Sequence, residues 1–472
     1  MVDVSASAKG WVRAHARKLL TLLALAGLVP VVHAAIGLLT RVRPPAVALP
    51  SADDAQPRME ESGGLVRVHL SGSPEAMGAA HARWLRERML AEEAELWTQF
   101  ERHVPWRIAR LGLMDYSRLR FMHVDRGIPE ARRREVAAEA LALEPDPFAD
   151  RMPTYQRLTF LYSLYDISLS LEHSPLIGCT SFAFDGEATV DGHALVARTF
   201  DFEAGDLLDR DKVVFLVRED GAIPFASVAW PGFVGVVTGM NLEGVVVVVH
   251  GARAGEPVAE GLPVAFALRQ VLERAHDTSE AVDILRSQQV MVSHIVFVGD
   301  GTGRFAVVER APGAAAFVRQ EKTHGTIAVT NHFEGPLASD PKNQRVRVTT
   351  STLARRARID ELLSRVAPHS VTPRSALDML RDHQCAGADA CNLGDRRSID
   401  AFIATHGIVA DATDRVLWVS VGPHLSGKFV KVDLRASLAA AQARGTATDS
   451  DTMPEDPVGR AAPFSVQPSG AP

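Results

Sequence analysis

An α+β fold with four layers, in the order helix, sheet, sheet and helix, is the architecture that this sequence of 472 residues predicts. Residues 65 to about 171 have mostly helical patterns, and from Cys179 onward short β-rich runs are separated by Asp-Gly and Gly turns. Turns of this kind favour antiparallel pairing of consecutive strands. Further blocks of helices and strands follow, and blocks that alternate in this way pack as layers around apolar cores.

The helical part opens with one strand, because residues 65–70 alternate between apolar and polar positions. Ser73 and Pro74 then supply an N-cap and a first-turn proline for a helix that continues past Met89. Residues 155–171 are strongly apolar, and we expect them to pack against the strands that follow Cys179.

The remaining elements follow in chain order. The sequence predicts strands at residues 180–184, 194–200, 213–217, 226–229, 234–238 and 245–250, helices at 264–275 and 278–287, a hairpin of 293–298 with 305–309, helices at 355–366 and 373–382, and strands at 399–404, 416–421 and 428–433.

Cys179 stands at the front of one of these apolar runs, in Gly178-Cys179-Thr180-Ser181-Phe182. A thiol attacks a carbonyl as the thiolate, so a nucleophilic cysteine needs a base and a nearby cation. No histidine stands beside Cys179 in the sequence. Cleavage of the Gly178–Cys179 bond would create an α-amino group whose pKa of roughly 7.7–8.0 suits a base near neutrality. We interpret Cys179 as a nucleophile and base exposed by self-cleavage; the alternative is a buried apolar cysteine.

Five other positions suit the same chemistry. Arg198 is a cation that would favour the thiolate, and Asp201 is an acceptor for the new α-amino group. Asn241 and Asn331 carry N–H donors for an oxyanion, each of which typically lowers a hydrolase barrier by about 3 kcal/mol. Each residue also has an ordinary interpretation, such as a salt bridge for Arg198 or a turn for Asp201 and Asn241. Arg355 stabilises the wall of the site or lies exposed on a basic helix.

Several separated motifs resemble those of N-terminal-nucleophile hydrolases. They are Gly72-Ser73-Pro74-Glu75-Ala76-Met77-Gly78, Cys179-Thr180-Ser181 with Asp191-Gly192-His193 and Arg198-x-x-Asp201, Gly239-Met240-Asn241-Leu242-Glu243-Gly244, Thr330-Asn331-His332-Phe333, and Ser351-Thr352-Leu353-Ala354-Arg355. The order of these motifs is similar to that in the penicillin-nucleus acyltransferase branch. It is more distantly similar to that in choloylglycine hydrolases, penicillin V acylases and acid ceramidase. Arg198 and Asp201 lie a few residues further from Cys179 than in the bile-salt and ceramide branches, and the segment before Cys179 is longer than several relatives remove.

The resemblance implies a self-cleaving cysteine amidohydrolase or acyltransferase on a four-layer sandwich. Its substrates would be N-acyl compounds such as acyl amino acids, acylated lactones, β-lactams or lipid amides, and it would form a thioester acyl-enzyme without a cofactor. The two cleaved chains are expected to remain associated. Two alternatives stay open: an unprocessed, envelope-anchored binding protein on the same fold, and a cysteine hydrolase that uses a distant histidine without cleavage.

Charge and cysteine content limit which ligands and which cellular compartment the protein can have. A formal net charge of −6 gives no electrostatic basis for nucleic-acid binding, and an apolar share of 46% is ordinary for a globular protein with a substantial core. Cys385 and Cys391 lie six positions apart in a small-residue loop that could close a disulfide in an oxidising compartment. Three reduced cysteines are the alternative. Only His383 lies close to that pair, so we expect no zinc site there.

The N-terminus predicts export. A flank rich in Lys and Arg precedes residues 19–39, which lack Asp, Glu, Lys and Arg and are long enough to cross a bilayer. This segment is a membrane anchor or a signal peptide cleaved near Val32-His33-Ala34, and a buried helix of a soluble protein is a third alternative. The first two interpretations place the body outside the cytoplasm, in the periplasm if the source is bacterial. The predicted division is a signal or anchor at 1–40, a flexible linker at 41–64, a helical pro-segment at 65–178, a catalytic domain at 179–440 and a disordered tail at 441–472.

Overall fold

The structure is a computed structural model that describes residues 15, 18, 27–50, 58–170, 177–202, 207–387, 391–442 and 451–461. Its strands are β1 (Arg58–Ser62), β2 (Leu65–Gly72), β3 (Ile177–Phe184), β4 (Leu195–Phe202), β5 (Val213–Glu219), β6 (Phe225–Ala229), β7 (Thr238–Asn241), β8 (Val246–Gly251), β9 (His294–Gly299), β10 (Phe305–Arg310), β11 (Phe317–Arg319), β12 (Thr326–Val329), β13 (Ala404–Asp411), β14 (Val416–Ser420), β15 (Phe429–Asp433) and β16 (Thr452–Met453).

The helices are α1 (residues 27–39), α2 (Pro74–His103), α3 (Arg107–Arg120), α4 (Glu130–Ala142), α5 (Thr154–Tyr162), α6 (Leu164–Leu169), α7 (Leu207–Arg210), α8 (Val264–Arg274), α9 (Thr278–Ser287), α10 (Pro341–Thr349), α11 (Thr352–Leu363), α12 (Pro373–Leu380), α13 (Leu434–Gln442) and α14 (Pro457–Ala461). Short 3-10 helices occupy Val124–Gly127 and Pro336–Ser339. The segment before the nucleophile is mostly helical, from α2 to α6, as the sequence predicts.

Two β-sheets form the centre of the molecule. One has nine strands in the order β1-β2-β5-β6-β7-β8-β9-β10-β11, and the other has seven in the order β12-β3-β4-β13-β14-β15-β16. Pairing is antiparallel as predicted, except that β2 and β5 run parallel. A parallel neighbour requires a long crossover, and the helical segment between β2 and β5 provides it.

Three apolar cores separate four layers. One lies between the two sheets, and includes Val196 of β4 and Val248 of β8. The second lies between the nine-stranded sheet and helices that include α2 and α8, and the third packs the seven-stranded sheet against α11 and α12. Strand β8 reads Val-Val-Val-Val-His-Gly and is buried throughout, as expected for a strand covered on both faces. The predicted α/β/β/α architecture is confirmed.

Two strand predictions are wrong. Residues 234–237 form a loop before β7 because their backbone groups bond elsewhere: the Val236 amide donates to the Ala265 carbonyl at 2.9 Å. Residues 399–403 precede β13 and do not form a strand. There the Asp400 carboxylate accepts the Phe402 amide at 2.9 Å, and Phe402 has a φ of 54°, so a tight turn replaces the extended chain.

The linker and tail are more ordered than the sequence predicts. Strand β1, inside the predicted linker, pairs with β2. The linker also contacts α5, because the Val42 backbone amide donates to the Gln156 side-chain carbonyl at 3.4 Å. In the predicted tail, β16 pairs with β15, and Asp456 lies 2.9 Å from His383. The rest of both segments, 51–57, 443–450 and 462–472, lies outside the described residues.

The predicted Cys385–Cys391 disulfide is present, with a Cα–Cα distance of 5.5 Å. Much of the predicted signal or anchor lies outside the described residues, which include α1 at 27–39. Among the helices that the structure describes, none combines the length and apolar character needed to span a membrane.

Candidate active site

The β3–β4 hairpin fixes where Cys179 lies. In its register, Cys179 pairs with Phe200, Ser181 with Arg198, and Gly178 with Asp201. Cross-strand partners share a face and successive residues alternate, so Cys179 and Arg198 lie on one face and Asp201 lies on the other. The loop between β3 and β4 is longer than in the bile-salt and ceramide branches, but the register still places Arg198 beside the Cys179 thiol.

Arg198 is a fixed, fully buried cation at this face. Its guanidinium donates to the carbonyls of Val237 at 3.0 Å and Val249 at 2.9 Å, and its Nη2 lies 3.7 Å from the Cys179 Sγ. The guanidinium also lies over the Phe200 ring, 4.4 Å from its centroid. Backbone carbonyls of both β8 and the loop before β7 thus aim this charge at the thiol.

Asp201 lies beside the Gly178 that precedes the nucleophile. A Cβ added to Gly178 would be 3.4 Å from the Asp201 Oδ2, and the Thr199 hydroxyl donates to Oδ1 at 2.5 Å. The carboxylate is therefore close to the Gly178–Cys179 bond. In the intact chain, however, the hydrogen bond from the Cys179 nitrogen goes to Asn331.

Asn331 faces the same nitrogen from the loop after β12. Its Oδ1 accepts the Cys179 N–H at 2.8 Å, and its Nδ2 donates to the Gly251 carbonyl at 2.9 Å. Arg355 also donates to Oδ1. In the opposite orientation of the amide, Nδ2 would face these two N–H donors, so the contacts assign the oxygen to this side. An amide nitrogen has two hydrogens, and among the described contacts Gly251 takes one. The second hydrogen is available to an oxyanion.

Arg355 joins these groups from the first turn of α11. Its Nη1 donates to the Cys179 carbonyl at 2.5 Å and to the Thr180 hydroxyl at 2.8 Å, and its Nη2 donates to the Asn331 Oδ1 at 2.7 Å. It is only 4% exposed, so the alternative of an exposed arginine on a basic helix is wrong.

Asn241 is not brought to this site. Its Nδ2 donates to the carbonyls of Leu272 at 3.0 Å and Ala275 at 2.8 Å, which uses both hydrogens. Its Oδ1 accepts the amides of Glu243 and Val245. It also lies four residues along the chain from Val237, whose carbonyl holds Arg198, or roughly 13 Å at the rise of a strand. The predicted oxyanion role of Asn241 is therefore wrong, and its ordinary role in a turn is correct.

Burial controls the electrostatics of the intact site. Burial raises the pKa of the Cys179 thiol, and the charge of Arg198 only partly offsets this rise. Burial likewise raises the pKa of Asp201, against the opposing effect of Arg355. Cys179 is 0% exposed. The uncleaved chain therefore holds a protonated thiol that has no contact with solvent.

Two residues near the thiol were not selected from the sequence as site residues. The Nε2 of His250, at the end of β8, lies 2.9 Å from the Ser181 hydroxyl. Burial holds its pKa well below the usual value, and Arg198 adds to this effect. Tyr165 of α6 has a buried hydroxyl with no hydrogen-bond partner among the described groups. Burial raises its pKa, and the neighbouring Cys179 raises it further. The only signal for Tyr165 in the sequence was the apolar run at 155–171.

An apolar cleft adjoins the site. It lies between α2, the α5–α6 segment, β4 and the loop at residues 230–233, and its walls include Tyr165, Phe200 and Val237. Potential metal ligands gather elsewhere, at Asp191, His193 and Asp411 and at His383, Asp400 and Asp456. Neither group contains Cys179 or a residue that hydrogen-bonds to it.

The fold and the hairpin site are similar to those of the N-terminal-nucleophile hydrolase superfamily. Within it, residues 188–421 match the model of the family described as acyl-coenzyme A:6-aminopenicillanic acid acyl-transferase. The resemblance drawn from the motifs is confirmed.

Individual relatives are distant. Over 165 residues, which are 32% of this chain and 27% of the relative, the chain is 28% identical to an uncharacterized protein of Archaeoglobus fulgidus. The match thus spans about a quarter of that relative.

Solved structures with a similar chain include three enzymes. An ortholog of N-acylethanolamine-hydrolyzing acid amidase from Caenorhabditis elegans is 17% identical, with 50% of this chain and 93% of that chain covered and a TM-score of 0.37. Penicillin V acylase from Agrobacterium tumefaciens is 18% identical, with 59% and 99% covered and a TM-score of 0.34. A mutant of conjugated bile acid hydrolase from Clostridium perfringens is 11% identical, with 58% and 95% covered and a TM-score of 0.33.

Proposed function

We propose that this protein is an exported cysteine amidohydrolase that activates itself by cleavage of the Gly178–Cys179 bond and then hydrolyses N-acyl amides through a thioester on Cys179. The observation that carries the proposal is the convergence of Arg198, Asn331 and Arg355 on the thiol, amide nitrogen and carbonyl of Cys179. The thiol and the nitrogen of the bond to be cleaved therefore each have a partner, and Arg355 fixes the peptide that follows them.

Self-cleavage begins with the thiol of Cys179. Its Sγ attacks the Gly178 carbonyl carbon, the peptide C–N bond breaks, and the thiol proton passes to the nitrogen, which becomes an α-amino group. Water then hydrolyses the resulting thioester, which leaves a carboxylate on Gly178 and a free thiol. Asn331 accepts the Cys179 N–H in the intact chain and would keep the new amine in the same place.

The new amine then acts as the base for substrate. It takes the thiol proton as Sγ attacks the acyl carbonyl, the free Nδ2 hydrogen of Asn331 donates to the oxyanion, and the protonated amine gives its proton to the leaving nitrogen. Water completes hydrolysis of the thioester. Arg198 favours the thiolate throughout, because a fixed buried cation beside the sulfur lowers the cost of its negative charge.

Two features support export and retention of the pro-segment. The Cys385–Cys391 disulfide suits an oxidising compartment. Helices α2, α5 and α6, which precede the cleavage site, form much of the apolar cleft. The two chains should therefore stay together after cleavage.

Trapping the acyl-enzyme tests the proposed reaction. The purified protein is mixed with an excess of N-acyl amides, quenched in acid and measured by intact mass. The fragment that begins at Cys179 should gain the mass of one acyl group, and hydroxylamine should remove it. Cys179→Ser is the matched control, since an ester would resist mild hydroxylamine. No acyl adduct on a cleaved, folded protein would contradict the proposal.

A further inference from the structure

The apolar cleft continues from the nucleophile along an aromatic wall. Phe200, the cross-strand partner of Cys179, lies 5.9 Å from Trp230, and Trp230 lies 6.1 Å from Phe233, measured between ring centroids. All three rings line the cleft. An acyl group bonded to Sγ would therefore have these rings beside it.

The cleft has room for a small apolar group. Its free volume is about 110 Å³. An engineered apolar cavity of roughly 150 Å³ in another protein accepts benzene, so the smaller space here suits a short alkyl chain.

Two polar side chains that line this cleft lack hydrogen-bond partners among the described groups, Tyr165 and Glu92. Glu92 of α2 follows Met89 by three residues and precedes Leu96 by four, so all three lie on the face of the helix that lines the cleft. The Glu92 side chain is buried, and neither carboxyl oxygen has a hydrogen-bond partner among the described groups. Burial raises its pKa well above the usual value, and the negative charge of Asp211 raises it further. Arg88 opposes this rise only in part, so burial favours the uncharged form of the Glu92 carboxyl.

The adjacent residue has a different environment. Glu93 lies 2.6 Å from the Arg157 guanidinium and accepts a hydrogen bond from the Trp97 indole at 3.1 Å. Its acceptor capacity is used within the protein. Glu92 has no such partners, and an unpartnered buried carboxyl is a cost that a ligand can remove.

We propose that Glu92 binds a hydroxyl group carried by the otherwise apolar acyl part of the substrate. An uncharged carboxyl offers one O–H donor and one carbonyl acceptor, and a hydroxyl group matches both. The assignment of this group to the acyl part rests on the proposed function, which places the acyl carbon on Cys179.

The test measures binding to the full-length Cys179→Ala variant, which keeps the cleft in its uncleaved form. The probes are N-methyl butanamide and isomers that each carry one hydroxyl at a different chain carbon, titrated by calorimetry. One hydroxylated isomer should bind at least about tenfold more tightly than the unsubstituted amide. Adding Glu92→Leu should abolish that preference, and the isosteric Glu92→Gln should keep part of it, since an amide also has a donor and an acceptor.

Leu90→Ala is the matched control, because Leu90 lines the cleft without a polar group and its loss should weaken all probes by the same factor. The assignment is overturned if every isomer binds no more tightly than the parent amide, if Glu92→Leu leaves the preference unchanged, or if an amine-bearing chain binds better than the hydroxylated one. Because Cys179→Ala binding involves no chemistry, a failure of self-cleavage would contradict the proposed function and leave this result intact.

Discussion

Two regions built around an asparagine differ in what the asparagine can still bind. At Asn331, one amide hydrogen goes to Gly251, the oxygen holds Cys179 and Arg355, and one hydrogen remains. At Asn241, both hydrogens and the oxygen are taken by the backbone of the surrounding turn and α8. The comparison teaches that a reactive site needs polar groups held in place but not saturated, whereas a structural turn uses all of them.

The largest difference should appear in Asn331→Ala. Loss of the oxyanion donor alone costs about 100- to 1,000-fold in kcat. The variant also loses the acceptor for the Cys179 nitrogen, so self-cleavage should slow as well. Rates of precursor cleavage and of amide hydrolysis measure the two effects. If Asn331→Ala cleaves itself and hydrolyses amides at parental rates, Asn331 has no catalytic role that distinguishes it from Asn241.

The opposite result is expected for Asn241→Ala. The variant leaves four backbone groups without their side-chain partner, so the free energy of unfolding should fall by about 2–3 kcal/mol. Urea unfolding measures this change. The kcat of the folded, cleaved enzyme should stay close to that of the parent, and a loss of about 100-fold in kcat without a loss of stability would return Asn241 to the oxyanion site.

Acid should weaken the Asn331 region through His332. Burial lowers the pKa of His332 from 6.5 to about 4. Between these values the unfolded chain binds a proton that the folded chain excludes, so stability is present above pH 6.5 and declines as the pH falls toward about 4.

The decline from one such group is about 1.4 kcal/mol per pH unit. His332→Gln should reduce the slope of unfolding free energy against pH by up to this amount, measured by urea titrations across the window. An unchanged slope would show that His332 takes up its proton without unfolding.

Arg355→Lys should have the smallest effect. A lysine cannot bridge the Cys179 carbonyl, the Thr180 hydroxyl and Asn331 as the arginine does. We expect cleavage and hydrolysis to slow about tenfold, or about 1.4 kcal/mol, because Asn331 keeps its other contacts. Arg356→Lys, on the same helix but partly exposed, is the control. Equal effects of the two substitutions would contradict a specific role for Arg355.

Alternation along strands and the order of the motifs predicted the layered fold and the association of Cys179 with Arg198. The role of Asn241 could not be read in this way. Whether its amide is free depends on carbonyls of residues 272 and 275, which the end of α8 brings to it from more than 30 positions away. Similarly, residues 399–403 look like a strand until the Asp400 side chain forms its turn. Local sequence patterns predict helices, strands and the face on which a side chain lies. Whether all hydrogen-bonding groups of a polar side chain are used depends on backbone groups that are distant in the sequence.

The central claim is that Cys179 becomes nucleophile and base through cleavage of the bond before it. Intact mass and N-terminal sequencing of the purified parent, beside Cys179→Ala, test it most directly. The account predicts two associated fragments in the parent, one beginning Cys-Thr-Ser-Phe, and a single uncut chain in Cys179→Ala. An uncut parent that is active, or one that is uncut and only binds its ligand, would contradict the claim and favour an unprocessed hydrolase or a binding protein.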